Sequence, residues 1–188
     1  MNIYLIILGI VALIALFVIG IYNKLVRLKN RVDSSWADID VQLKRRYDLI
    51  PNLVETVKAY ATHEEGTLTK VIEARNSAMK THDGVSDVAA MSATENQLSA
   101  TLKSIFALSE NYPDLKANTN FLKLQDELSD TENKIFAARR FFNSVVEEFN
   151  TAIEVFPNTL FVGMLGYKKR DFFALDDEKA RDVVKVSF

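Results

Sequence analysis

The chain of 188 residues contains no cysteine, which removes disulfide frameworks, thiolate metal sites and cysteine nucleophiles together. Three prolines and six glycines, with few β-branched clusters outside the N-terminal run, argue against sheets and for long helices. Two histidines are too few for a His-rich metal centre. The residues three before His63 and His82 are Tyr60 and Met79, so the inward Glu-x-x-His pairs of a di-iron bundle are missing. No GxxxxGK[ST] phosphate loop, GxGxxG turn or nucleophile elbow occurs, and Gly163-Met164-Leu165-Gly166 is no substitute for one. These absences predict no enzyme, no cofactor, no metal and no catalytic residue.

The longest uninterrupted feature is apolar. Residues 3–22, IYLIILGIVALIALFVIGIY, carry no charge and no proline, and at about 1.5 Å per residue they reach the thickness of a hydrocarbon core. The basic start and small-residue cleavage site of a signal peptide are lacking, so residues 1–22 read as a retained transmembrane anchor. Lys24, Arg27, Lys29 and Arg31 follow it while nothing positive precedes it, which places the N-terminus outside and the rest in the cytoplasm. The net charge of −2 conceals a basic juxtamembrane collar on an acidic body. Such a collar suits contact with anionic membrane lipid, and without a basic domain carrying interleaved aromatics it gives no reason to expect nucleic acid as a partner.

Beyond the anchor the apolar positions step by three and four. Leu25, Leu28, Val32, Trp36, Ile39, Leu43 and Tyr47 form an eleven-residue repeat that continues the anchor helix. Asp48 and Pro51 predict a bend near 48–51, either as the start of a new helix or as a kink. A second stripe, Ile50, Val54, Val57, Ala61, Leu68, Ile72 and Met79, is interrupted at His63–Gly66 and ends at a turn near 82–84. A third helix is expected from Ser86 to Tyr112, stopped by Pro113. The fourth has an unbroken heptad seam, as in a coiled coil, from Phe121 through Leu128, Thr131, Ile135, Phe142 and Phe149 to Phe156. The predicted fold is all-α: residues 23–156 as an elongated antiparallel four-helix bundle continuous with the anchor, and 157–188 as a separate tail.

Three polar features stand out. Arg45, Arg46, Asp48 and Asn52 cluster at the expected bend, where they either contact a subunit or partner or cap two helix ends. Glu95 and Thr131 fall on the seams, with Asn133, Asn143 and Asn150 near them, and one of Arg75 and Arg139 is expected to pair with Glu95 or Glu132. In the tail, Phe161, Lys168, Lys169, Arg170, Phe172 and Phe173 place apolar and basic groups together, and the chain ends on Phe188. That tail either meets the membrane or a neighbouring subunit, or folds back over the end of the bundle.

The segments NRVDSSWADIDVQLKRRYDLIPNLVETVKAYATHE (30–64), ENQL (95–98), YPDLKANTNFLKLQDELSDTENKIFAARRFFN (112–143), the Phe-Pro at 156–157 and the GY…FF tail resemble the LemA family of bacterial membrane proteins. Departures are local: Phe142 stands where tyrosine is usual, and Ala59 where glycine is frequent. The resemblance implies a single N-terminal span in the bacterial cell membrane, a short outside N-terminus and a cytoplasmic helical bundle. It transfers no catalytic residues. Two functions follow as expectations. One is a self-assembling homo-oligomeric scaffold that organises or shapes the membrane. The other is a membrane-tethered adaptor for an unidentified signalling or envelope-stress protein.

Overall fold

The computed structural model describes residues 2–84 and 88–174, and among them it is helical with no strand. Six helices follow in order: α1 (Asn2–Lys58), α2 (Glu65–Gly84), α3 (Val88–Ser109), α4 (Pro113–Lys116), α5 (Thr119–Glu154) and α6 (Thr159–Leu165). The expected helix start at Ser86 and the terminal Phe188 lie outside the described residues. The chain groups into two compact units, residues up to 38 with 140–171, and residues 39–139 with those from 172 on.

In the first unit, α1 begins as a helix that is apolar all round and exposed from Ile3 to Phe17, a pattern that fits a span meeting lipid on every side. At Ile21 the helix acquires a buried stripe, Ile21, Leu25, Leu28 and Val32, without any intervening linker. The C-terminal part of α5 runs antiparallel to it. Arg31 donates to Glu148 at 2.7 Å, its guanidinium lies 5.7 Å from the Phe141 ring, and Trp36 meets Phe142 edge-on at 5.4 Å. The α5 seam supplies Phe142, Val145, Phe149 and Ala152, all buried, whereas Phe156 falls beyond the helix end and is exposed.

In the second unit, α1 continues through Pro51 and ends at Lys58, so no helix starts at Asp48. Pro51 cannot donate to the carbonyl of Tyr47 one turn back. That carbonyl is taken instead by Arg75 of α2, whose Nε donates to it at 2.7 Å. The reversal comes at 59–64, where Tyr60 and Ala61 N–H groups close on the Val57 carbonyl at 3.0 and 2.9 Å. The helix break at 59–64 thus overlaps only the first half of the polar His63–Gly66 interval, because Glu65 and Gly66 already belong to α2. Because the break resets the helical phase, α2 buries Leu68, Val71, Ala74 and Ala78, while Ile72 is 41% exposed.

Helix α2 packs on α3, which buries Met91, Ser92, Glu95, Leu98, Leu102 and Ile105. Helix α3 stops at Ser109, ahead of the expected Tyr112, and Pro113 opens α4 at a position where its missing N–H costs nothing. The Asn118 carboxamide oxygen accepts from the Asn120 and Phe121 N–H groups at 2.9 and 3.0 Å, capping the start of α5.

Candidate functional site

A charged cluster is enclosed in the second unit. Arg46 projects from α1 between Leu43 and Ile50, on the buried stripe, and is fully buried along with Glu95 of α3. Its Nη1 donates to Glu95 Oε2 at 3.3 Å, and its Nη2 donates to the Glu95 carbonyl at 3.3 Å and to Ser99 Oγ at 2.8 Å. Its Nε lies 3.1 Å from Glu132 Oε1 of α5, and the Ser99 hydroxyl donates a hydrogen bond to Glu132 Oε2 at 3.2 Å. The other carboxylate oxygen of Glu95 accepts a short hydrogen bond from the Tyr47 hydroxyl. Arg139, also from α5, brings Nη2 to 4.0 Å from Glu95 and lays its guanidinium 4.2 Å above the Phe173 ring.

Two arginines thus face two glutamates, so the cluster is neutral as a whole. Burial pushes the Tyr47 phenol well above its ordinary value, and the Glu95 charge adds to the shift. Burial also lowers Arg139, with Glu95 opposing. Arg139 Nε and Nη2 are enclosed without a hydrogen-bond partner, which leaves the Phe173 face and the Glu95 charge to hold that side chain. Nearby, His82 Nε2 sits 2.5 Å from Asp40 Oδ1, and its ring meets Tyr47 edge-on. No set of three His, Cys, Asp or Glu residues among the described ones is placed to hold a metal ion. Burying Arg46, Glu95 and Arg139 is costly unless they are paired, and the contacts that pair them, with the half-exposed Glu132, link α1, α3 and α5.

The expected pairing of an arginine with Glu95 is found for Arg139, while Arg75 serves the Tyr47 carbonyl. The sequence pattern alone points the principal partner, Arg46, to a helix end or a partner contact. Its burial withdraws it from any contact surface. The signal was present in its spacing, three after Leu43 and four before Ile50. Arg45, Asp48 and Asn52 lie on the opposite, exposed side of α1, where they line a shallow depression with Asp40, Val41 and Lys44. Arg45 there reaches Glu127 at 3.8 Å. Thr131 is buried and bonds its own helix at Glu127 O, 2.7 Å away, so it offers nothing to a ligand.

The tail divides. In the first unit Asn150 brackets Arg170, accepting from its N–H and donating to its carbonyl, both at 2.9 Å. Tyr167 packs edge-on against Phe149, Lys169 pairs with Glu154 at 2.5 Å, and Arg170 reaches Asp33 at 3.5 Å. In the second unit Phe173 is buried beneath Arg139 and the Ala174 N–H donates to Ser92 Oγ at 3.1 Å. Phe173 is therefore no membrane or subunit contact. Phe161 is half-buried, and Lys168 and Phe172 are exposed.

The fold and its core define an all-α protein whose single N-terminal apolar helix is compatible with one membrane crossing. The profile of the LemA family matches residues 35–188, and the chain belongs to that family. Protein LemA of Metamycoplasma hominis is 26% identical over 138 residues, a stretch that covers 73% of this chain and 62% of that relative's length.

Proposed function

We propose that this protein is a non-enzymatic, membrane-anchored helical scaffold that self-assembles side by side and thereby organises or shapes the bilayer. The observation that carries the reading is the unbroken passage of α1 from an exposed apolar run into the packed stripe at Ile21, Leu25 and Leu28. With no flexible linker, contacts between neighbouring folded parts translate directly into the spacing and tilt of their spans. An open-ended contact between such protomers generates rings or filaments. In this reading the span crosses the bacterial cell membrane with its folded part in the cytoplasm, as the basic residues after Tyr22 favour.

The test is the mass of the full chain in mild detergent. A defined large assembly is expected, and a monomer at every concentration overturns the reading. A second reading, a tethered adaptor for a protein partner, is favoured by the exposed face at Asp40, Val41, Lys44, Arg45, Asp48 and Asn52. Alanine substitution of Arg45 and Asp48 then abolishes capture of that partner without changing assembly size or helicity.

A further inference from the structure

The first unit ends in an apolar edge that the packing leaves uncovered. Phe156, Leu160 and Met164 are 78%, 62% and 86% exposed, the last two on one face of α6 four residues apart. Their height relative to the span follows from pairings within this unit. Trp36 opposes Phe142 and Arg31 opposes Glu148, so each step along α5 towards its C-terminus matches a step along α1 towards the span. Carried on, this register sets the end of α5 at Glu154 beside Leu25, and the segment after it beside Ile21 and Tyr22, where the apolar span begins.

The chain then turns round. Gly166, with φ of 67°, ends α6, and the returning strand of chain places Tyr167 on Phe149 and Arg170 on Asn150, back down α5. Helix α6 is therefore the apex of a loop that points at the span. Phe161, Val162 and Leu165 face partly inward and seat it. Exposed basic groups on the same stretches are Lys24 and Arg27 on α1 and Lys168 after α6, while the exposed Glu154 at the end of α5 is paired with Lys169.

We propose that α6 is an interfacial membrane contact, with Phe156, Leu160 and Met164 resting among the acyl chains just below the head groups of the bilayer that α1 crosses. Lys24, Arg27 and Lys168 then meet lipid phosphates. The occupant is lipid because the edge lies at the level where α1 itself loses protein cover, so one continuous apolar surface runs from the span onto α6. The proposal rests on the membrane reading of α1.

The absence of cysteine makes each introduced thiol a unique label site. The full chain is reconstituted in phosphatidylethanolamine–phosphatidylglycerol vesicles with a nitroxide on Leu13→Cys, Met164→Cys or Glu147→Cys, all exposed positions. Labels at Leu13 and Met164 are expected to relax more with oxygen than with a water-soluble nickel chelate, and the label at Glu147 the reverse. Water-like behaviour at Met164 with lipid-like behaviour at Leu13 overturns the α6 contact and leaves the span standing. Water-like behaviour at Leu13 overturns the membrane reading and the α6 contact together. Shielding of Met164 from both reagents, with dipolar broadening between labels, assigns the edge to a second copy and also overturns the proposal.

Discussion

Pro51 and Arg75 form a compensating pair whose energetics can be separated. Proline at 51 deprives the Tyr47 carbonyl of its helical donor, and Arg75 Nε supplies the replacement at 2.7 Å. Tyr47 is buried, so losing that donor strands an acceptor away from water. Hydrogen bonds to a charged donor contribute about 1.5–3 kcal/mol, and an unmet buried carbonyl costs a similar amount, so Arg75→Met should destabilise the fold by about 2 kcal/mol. For a chain of this size that corresponds to a fall of roughly 4–8 °C in Tm. Pro51→Ala restores an intrahelical N–H to the same carbonyl and removes the ring clash, so alone it is neutral or stabilising by up to about 3 kcal/mol. In the Pro51→Ala background Arg75→Met should lose much less, giving a coupling of about 1 kcal/mol or more. Thermal and urea unfolding followed by far-ultraviolet circular dichroism in one detergent measures all four corners of the cycle. Equal costs of Arg75→Met in both backgrounds, within about 0.5 kcal/mol, would refute the compensation.

The neighbouring arginines should behave oppositely in the same unfolding assay. Arg46→Ala strands the buried Glu95 and costs about 3–5 kcal/mol, whereas Arg45→Ala, exposed and 3.8 Å from Glu127, costs under about 1 kcal/mol. Tyr47→Phe tests the raised phenol. The folded state keeps a proton that the unfolded chain releases above the ordinary value of 10.0, so stability falls as pH rises past that point, and the phenylalanine variant should lose part of this alkaline slope. Asn150→Leu removes both 2.9 Å bonds to Arg170, and tryptic cleavage at Lys168–Arg170 should rise about ten- to a hundredfold, the equivalent of roughly 1–3 kcal/mol in local opening; unchanged cleavage would show that other contacts hold the tail.

Periodicity made the helices readable because burial on one face leaves a trace at every third and fourth residue. The stripe from Leu25 to Tyr47 and the α5 seam through Ala152 are buried or half-buried throughout. Local rules failed where a tertiary partner overrode them. Pro51 signals a break by its own chemistry, but Arg75, distant in sequence, makes the continuous helix tolerable. Ile72 fitted the stripe only if the phase survived the turn at 59–64, and it did not. Arg46 escapes the local rules because a charged residue beside an expected bend reads as a cap or a partner contact. Only the three facing groups Glu95, Ser99 and Glu132 explain a guanidinium on a buried stripe. The division of the tail, with Arg170 held by Asn150 and Phe173 under Arg139, depends on side-chain meetings that no spacing encodes.

On the proposed function, neighbouring copies assemble and so arrange their anchors. Mass photometry of the full chain in mild detergent, supported by electron microscopy of the same sample, tests it most directly. A discrete population many times the 21.3 kDa protomer mass is the predicted result. A uniform monomer across the accessible concentration range would contradict it.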